Sequence, residues 1–86
     1  MLDKAQDLEY PATFHFRVIT EPTAFVEAEV SALLEEFKVV AALTPSRGSS
    51  GGRYRAYSVS IEMRSREELH RFDVLLKKVR GVRMVL

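Results

Sequence analysis

The fold is decided by residues 57–72, which read YSVSIEMRSREELHRF. In the first half, apolar side chains alternate with serine and glutamate, and this period of two predicts a strand with one buried and one polar face. In the second half, Ser65 and Glu68 stand three residues apart, in the spacing of a capping box that opens a helix. The stretch therefore predicts a strand followed directly by a helix.

The helix that begins here continues with apolar residues at helical spacing. Its predicted buried stripe consists of Leu69, Phe72, Leu75, Leu76 and Val79. On the exposed side, Glu67 with Arg71 and Asp73 with Lys77 stand four residues apart and predict two ion pairs. Gly81 is predicted to end the helix. A short apolar run to the last residue then predicts a final strand over residues 82–86.

The first half of the chain repeats the pattern of a strand followed by a helix. Phe14, Phe16 and Val18 alternate with His15, Arg17 and Ile19, which predicts a strand over residues 13–20. Pro22 suits the first position of a helix, with Thr20 or Glu21 as its cap. The predicted buried stripe of this helix comprises Val26, Val30, Leu33, Leu34 and Phe37.

Between the two helices, residues 39–43 form a short apolar run that predicts another strand. Residues 46–52 are rich in serine and glycine and predict a flexible hairpin loop. A phosphate-binding loop would need a lysine and a following helix, whereas a strand follows here.

The predicted order is therefore strand-helix-strand-strand-helix-strand, in a single domain over residues 1–86 with a loosely ordered lead-in at residues 1–10. This order is typical of the ferredoxin-like α+β sandwich, in which two helices cover one face of a four-stranded antiparallel sheet. The other face is left open. Side chains predicted for this open face are His15, Arg17, Ser58, Ser60, Glu62 and Arg83.

Charge is distributed unevenly along the chain, although the net charge is only +1. Residues 1–43 carry eight acidic and three basic side chains, whereas residues 44–86 carry four acidic and ten basic ones. Such asymmetry is compatible with a basic surface for an anionic partner and with solvated faces whose charges balance.

The composition excludes several classes of protein. The chain has no cysteine, so it has no disulfide framework and no thiolate nucleophile. No apolar run approaches the roughly 20 residues of a membrane-spanning helix, and the polar, acidic start does not resemble a signal peptide. We therefore expect a cytoplasmic protein with no membrane association.

No residue pattern in the chain matches an enzyme or a metal site. Glu67 and His70 have the spacing of a carboxylate-bridged metal motif, but that chemistry needs a second such pair, and the only other histidine is His15. His15 could act as a base, yet its spacing to other residues supplies no partner. We expect no catalytic residue, no cofactor and no metal.

Basic and aromatic residues are interleaved just before the third strand, as they are on many nucleic-acid-binding surfaces. Arg53, Tyr54 and Arg55 follow Arg47 in this part of the chain. RNA-recognition domains place two aromatic residues on the same face of this strand, but Tyr54 and Tyr57 are three residues apart and fall on opposite faces. The segment is thus either a solvated basic hairpin, a contact for a protein or an anion, or a weak nucleic-acid-binding surface.

The chain resembles the YbeD-like family of small bacterial proteins of unknown function. The resemblance spans nearly the whole length and rests on Tyr10-Pro11, on Phe14 and Val18, on residues 58–61 and on the terminal run at residues 82–86. It implies a ferredoxin-like fold similar to the ACT domains, regulatory modules that bind small molecules at subunit interfaces. It implies no particular activity.

One departure from the ACT pattern limits what the resemblance implies. ACT domains that bind amino acids have a glycine between the first strand and the first helix, where this chain has Thr20-Glu21-Pro22. The sequence therefore predicts a non-enzymatic regulatory or interaction domain whose partner is a protein or a small molecule, with pairing into a homodimer by analogy. Nucleic-acid binding is the alternative. The residues predicted to contact a partner or an anion are Arg47, Arg53, Arg55, Tyr54, His15, Arg17 and Arg83.

Overall fold

The computed structural model describes residues 9–46 and 52–86. Its elements are β1 (Ala12–Thr20), α1 (Ala24–Leu34), β2 (Lys38–Ser46), β3 (Arg55–Met63), α2 (Arg66–Lys77) and β4 (Val82–Val85). The strands form one antiparallel sheet in the order β2-β3-β1-β4. The predicted ferredoxin-like βαββαβ sandwich is confirmed. Of the predicted lead-in, only residues 9 and 10 lie within the described ranges.

The core lies between the sheet and the two helices. Phe72 of α2 is completely buried at its centre, with its ring centroid 4.7 Å from that of Phe16 on β1 and 5.2 Å from that of Phe37 after α1. Burial of one such side chain contributes about 1.5–3 kcal/mol. The residues that form the buried cluster are Val18, Val26, Val30, Leu34, Phe37, Val59, Ile61, Met63, Phe72 and Leu76. Both predicted helical stripes therefore face the sheet.

Helix α1 begins later than predicted. The sequence favoured Pro22 as its first residue, but the helix starts at Ala24, after an extended Thr23 whose side chain makes no capping hydrogen bond. The backbone N–H of Glu21 donates to the carbonyl oxygen of Gly81 at 2.8 Å, and that of Thr23 donates to the carbonyl oxygen of Glu21 at 2.8 Å. These two bonds hold the segment outside helical geometry.

Gly81 lies beyond the end of α2 rather than at it. The helix ends at Lys77, and Gly81 follows in the turn before β4 with a φ of 97°. A β-carbon at this position would collide with the side chain of Val26, which is buried in α1. Glycine thus allows the turn to take a left-handed conformation and to pack closely against α1.

The start of α2 uses only half of the predicted capping box. Ser65 Oγ accepts a hydrogen bond from the backbone N–H of Glu68 at 3.1 Å, as expected. The Glu68 carboxylate does not return to Ser65; it accepts from the guanidinium of Arg64 at 2.8 Å and from the backbone N–H of Arg64 at 2.7 Å. These hydrogen bonds, the one from the guanidinium above all, lower the pKa of Glu68.

One of the two ion pairs predicted along α2 is confirmed and the other has a different partner. Lys77 Nζ lies 3.2 Å from Asp73 Oδ2. Arg71 does not pair with the residue one turn before it; its guanidinium lies 2.6 Å from Glu36 Oε1 and 5.3 Å from the ring centroid of Phe37. Glu36 and Phe37 both belong to the segment that follows α1. Arg71 therefore links α2 to the end of α1.

Strand β2 is longer than predicted and lies at an edge of the sheet. The sequence indicated residues 39–43, whereas the strand spans Lys38–Ser46. Its pairing with β3 shifts register twice, between Val39 and Ala41 and again between Ala41 and Thr44. No residue of β2 is fully buried, and 58 % of Val40 is exposed.

Candidate functional site

The open face of the sheet is the face that neither helix covers. Cross-strand pairing places its side chains in four rows that run from β2 through β3 to β1, and two of these rows continue to β4 or to Leu86 after it. These rows are Lys38–Glu62–Thr13, Ala41–Ser60–His15, Thr44–Ser58–Arg17–Leu86 and Ser46–Ala56–Ile19–Met84. The predicted assignment of His15, Arg17, Ser58, Ser60 and Glu62 to this face is confirmed.

His15 and Ser60 form a hydrogen-bonded pair at the middle of this face. His15 Nδ1 lies 2.6 Å from Ser60 Oγ, and the tautomer of the imidazole decides which of the two donates. Ser60 is central in β3, where backbone N–H groups are directed at neighbouring strands and supply no oxyanion hole. Glu62, the carboxylate on the same face, lies 3.5 Å from Lys38 Nζ. The pair therefore offers an imidazole and a hydroxyl for polar contacts with a partner.

Arg17 adds positive charge beside this pair. It stands two residues from His15 on β1 and directly opposite Ser58 on β3. Its backbone is fixed on the other side by Leu86, since the Arg17 N–H donates to the Leu86 carbonyl oxygen at 3.0 Å and the Leu86 N–H donates back at 2.8 Å. The middle of the open face thus presents an imidazole, a guanidinium and two hydroxyls on a rigid sheet.

One corner of the open face is apolar. Ile19 on β1 lies opposite Met84 on β4, and Leu86 follows beside Arg17. Met84 is 52 % exposed and Leu86 is 64 % exposed. We call Ile19, Met84 and Leu86 the apolar corner. The apolar corner adjoins the positively charged Arg17. The open face therefore combines charge with apolar surface, as many protein-contact surfaces do.

The predicted basic hairpin lies apart from this centre. Arg53 and Tyr54 precede β3, and Arg55 is its first residue, opposite Thr20. Tyr54 is 38 % exposed, whereas Tyr57 is buried on the core side, as its spacing predicted. The residues that β3 presents on the open face are Ala56, Ser58, Ser60 and Glu62, so the paired aromatic residues of RNA-recognition domains are not reproduced on this strand.

The remaining predicted contact residues are also separate. Arg83, which the sequence placed on the open face, has its Nε 3.8 Å from Glu21 Oε2 at the end of the sheet where β1 stops. Arg47 lies outside the described residues. The structure therefore brings His15 and Arg17 together, groups Arg53, Tyr54 and Arg55 in the hairpin, and leaves Arg83 by itself.

The described part of the chain contains neither a cluster of metal-ligating side chains nor a helix that could span a membrane. Within residues 9–46 and 52–86, no three His, Asp or Glu side chains lie close enough together to hold a metal ion. Neither of the helices in these ranges has the length and hydropathy to cross a bilayer.

Comparison with known proteins identifies the family. Residues 5–86 match the family model described as a protein of unknown function, DUF493. The chain belongs to the DUF493 family. The predicted resemblance to YbeD-like proteins is therefore confirmed.

The names of two relatives from Shewanella species state no activity. A UPF0250 protein of Shewanella loihica is 28 % identical over 79 residues, covering 92 % of this chain and 90 % of the relative. A UPF0250 protein of Shewanella piezotolerans is 26 % identical over 88 residues and covers both chains completely. Membership of the DUF493 family thus establishes which proteins the chain is related to, but it does not establish the function of the chain.

Solved structures confirm the relationship of the fold to ACT domains. The solution structure of protein HP0495 from H. pylori matches with a TM-score of 0.71 and 18 % identity, over 92 % of this chain and 85 % of that one. The ACT domain from GTP pyrophosphokinase of Chlorobium tepidum matches with a TM-score of 0.69 and 14 % identity, over 86 % of this chain and 94 % of that one. At these identities the likeness concerns the fold alone.

Two parts of the surface were missed by the sequence predictions. The partnership of His15 with Ser60 spans 45 residues, and no local spacing encodes it. The apolar corner was hidden because Met84 and Leu86 belong to a terminal apolar run that was interpreted as strand without separate faces. A signal was present in Ile19, which alternation had already assigned to the open side of β1.

Proposed function

We propose that this DUF493 protein is a non-enzymatic regulatory or interaction domain that presents the open face of its sheet to a partner protein or a small ligand. The observation that supports this proposal is the junction of Arg17 and His15 with the apolar corner on a face that neither helix covers. A rigid sheet presents such groups with little loss of conformational entropy on binding.

The ACT domain of a GTP pyrophosphokinase has the same fold, which supports a regulatory role by analogy. By the same analogy, two copies of the chain would pair as a homodimer. A chain without cysteine does not need an oxidising compartment in order to fold, which supports a cytoplasmic location.

Affinity capture from native cell lysate at moderate salt, with and without nuclease, tests this proposal. We expect a specific protein to be recovered in both samples. Met84→Ser removes exposed apolar surface from the open face and should abolish recovery. Val74→Ser is the matched control, since Val74 is a 36 % exposed apolar residue on α2. Equal recovery with both variants would show that the open face is not the contact surface.

Nucleic-acid binding is the second candidate, supported by the hairpin. Arg53 and Arg55 flank the half-exposed Tyr54, and neither arginine forms an ion pair with another described residue. Capture that succeeds only without nuclease would favour this function over the first. Binding to oligonucleotides should then weaken steeply with salt.

A further inference from the structure

A second surface lies on the opposite side of β2, where an open groove separates this strand from α1. The groove has a volume of about 480 Å³. Leu34, Phe37, Val39 and Leu43 form its apolar floor, and one wall is formed by Ser31 of α1 and by Glu35, the C-terminal cap of that helix. Groove volumes of this order accommodate a few side chains of a partner.

The apolar side chains of β2 remain largely uncovered in this chain. Val39, which lines the groove, is 36 % exposed, and Val40, which lies beside the groove lining within a register shift, is 58 % exposed. Leu43 is the residue of β2 that packs against the buried cluster, and it is only half-buried. Contiguous apolar surface along an edge strand is a recurrent mark of an interaction site.

The backbone of β2 disfavours a partner that simply adds another strand. The two register shifts against β3 interrupt the regular ladder of the strand. Pro45, near its end, has no N–H to donate. Bulges and edge prolines are features by which natural sheets prevent pairing between edges. The groove therefore favours an occupant that inserts side chains, and this also argues against a second copy paired through β2.

The helical wall of the groove carries one carboxylate, that of Glu35, and a second, Glu27, borders the neighbouring cavity. Glu27 and Ser31 of α1 and its cap Glu35 stand four residues apart and follow the length of β2. Glu35 forms no ion pair with another described residue. Glu27 accepts a hydrogen bond from Tyr57 at 3.3 Å, and Arg55 borders the same small cavity, so the negative charge is strongest at the Glu35 end.

We infer that the groove between α1 and β2 binds an amphipathic helix of a partner protein, with the apolar face of that helix on the groove floor and a flanking lysine or arginine at Glu35. A helix in a groove is a common mode of peptide recognition and relies on apolar anchors at i, i+3, i+4 and i+7. The site is separate from the open face of the sheet, so it does not depend on the function proposed for that face.

The probe for this site is a synthetic amphipathic peptide of about 15 residues, long enough to form a helix, with leucine anchors and flanking lysines. Titration of this peptide into the ¹⁵N-labelled protein should shift the amide signals of Ser31, Glu35 and Val39. The same titration with a peptide whose lysines are replaced by glutamate should give at least about tenfold weaker binding, because the wall carries the carboxylate of Glu35.

Two pairs of variants locate the site. Ser31→Arg fills the groove and should weaken binding of the lysine peptide by about tenfold or more, while Ala32→Arg places the same charge on the solvent side of α1 and should change it by less than about twofold. Glu35→Gln should weaken binding, while Glu29→Gln should not. Unchanged amide spectra away from the substitution verify that each variant is folded.

Several results would overturn the inference. Among these are no binding at millimolar peptide, shifts centred on Met84 and His15, or equal loss with Ser31→Arg and Ala32→Arg. Self-association of the free protein that Ser31→Arg abolishes would assign the groove to a second copy. If the peptide titration fails while capture through the open face succeeds, the inference about the groove is rejected and the function proposed for the open face stands.

Discussion

The Glu68 carboxylate accepts hydrogen bonds from both the backbone N–H and the guanidinium of Arg64, at 2.7 and 2.8 Å. Arg64 directly follows β3, and Glu68 lies in the first turn of α2, so this contact fixes the angle between strand and helix. The charge of Glu68 also lies at the positive end of the helix dipole.

Acid should weaken the fold through Glu68. Its pKa is lowered in the folded state, chiefly by the Arg64 hydrogen bond, so its ionised form stabilises the fold at pH values above the unfolded pKa of about 4.3. This contribution is lost as the pH falls through the lower folded-state pKa. Glu68→Gln should lower the free energy of unfolding by about 1–2 kcal/mol at pH 7, and the deficit should shrink toward pH 3. Urea titrations across this range measure it, with the exposed Glu67→Gln as the control. A deficit independent of pH would contradict the assignment.

Loss of Arg71 should loosen the contact between the two helices. Its guanidinium contacts Glu36 at 2.6 Å and lies over the Phe37 ring. Arg71→Ala should reduce stability by about 1 kcal/mol, because an exposed ion pair contributes about 0.2–1 kcal/mol and an exposed cation–π contact about 0.5–1 kcal/mol. Lys77→Ala breaks only the pair with Asp73 and should cost less than about 0.5 kcal/mol. Thermal melting compares the two, and equal losses would mean that Arg71 does not link the helices.

Substitution at Gly81 should be far more damaging than substitution at Gly52, the other left-handed glycine among the described residues. Both Gly52 and Gly81 have positive φ values, of 75° and 97°. A β-carbon at Gly52 meets no atom within 4 Å, whereas one at Gly81 collides with Val26. Gly52→Ala should therefore lower the free energy of unfolding by about 1–2 kcal/mol, because alanine disfavours the left-handed backbone. Gly81→Ala should lower it by at least about 1 kcal/mol more, because of the collision with Val26. Denaturant unfolding of both variants tests this difference, which similar midpoints would refute.

The hairpin arginines should matter little for stability. Arg53 and Arg55 are exposed and form no ion pair with another described residue. Replacing each by serine should change the free energy of unfolding by no more than about 0.5 kcal/mol. From the sequence we expect the same of Arg47, which lies outside the described residues. A clearly larger loss on thermal melting would show that the hairpin has a structural role.

Periodicity predicted which face each side chain occupies but not which partner it has. Alternation along β1 and β3 placed His15 and Ser60 on the open face, because the side-chain period of a strand is two. Their contact depends on the register between strands that are distant in the sequence, and a slip by one residue would exchange the two faces. The sequence therefore predicted that His15 and Ser60 lie on the open face, but it could not predict that they form a hydrogen bond with each other.

Local spacing failed where contacts between distant segments compete with it. Arg71 stands one turn from Glu67, yet it pairs with Glu36, which only the packing of α2 beside α1 brings near. Pro22 suits a helix start, yet the hydrogen bond from Glu21 to Gly81 delays α1 until Ala24. The groove beside β2 was unpredictable because the apolar run at residues 39–43 has the pattern of a buried strand, whereas the strand lies exposed at the edge of the sheet.

The mutual backbone hydrogen bonds of Arg17 and Leu86 have a practical consequence for labelling and fusion. Because Leu86 pairs with Arg17 in the antiparallel direction, a polypeptide joined after Leu86 would start out along β1 toward His15. A C-terminal tag would then lie next to the imidazole and could mask it from a binding partner. The position of a tag is therefore itself an experimental variable for this protein.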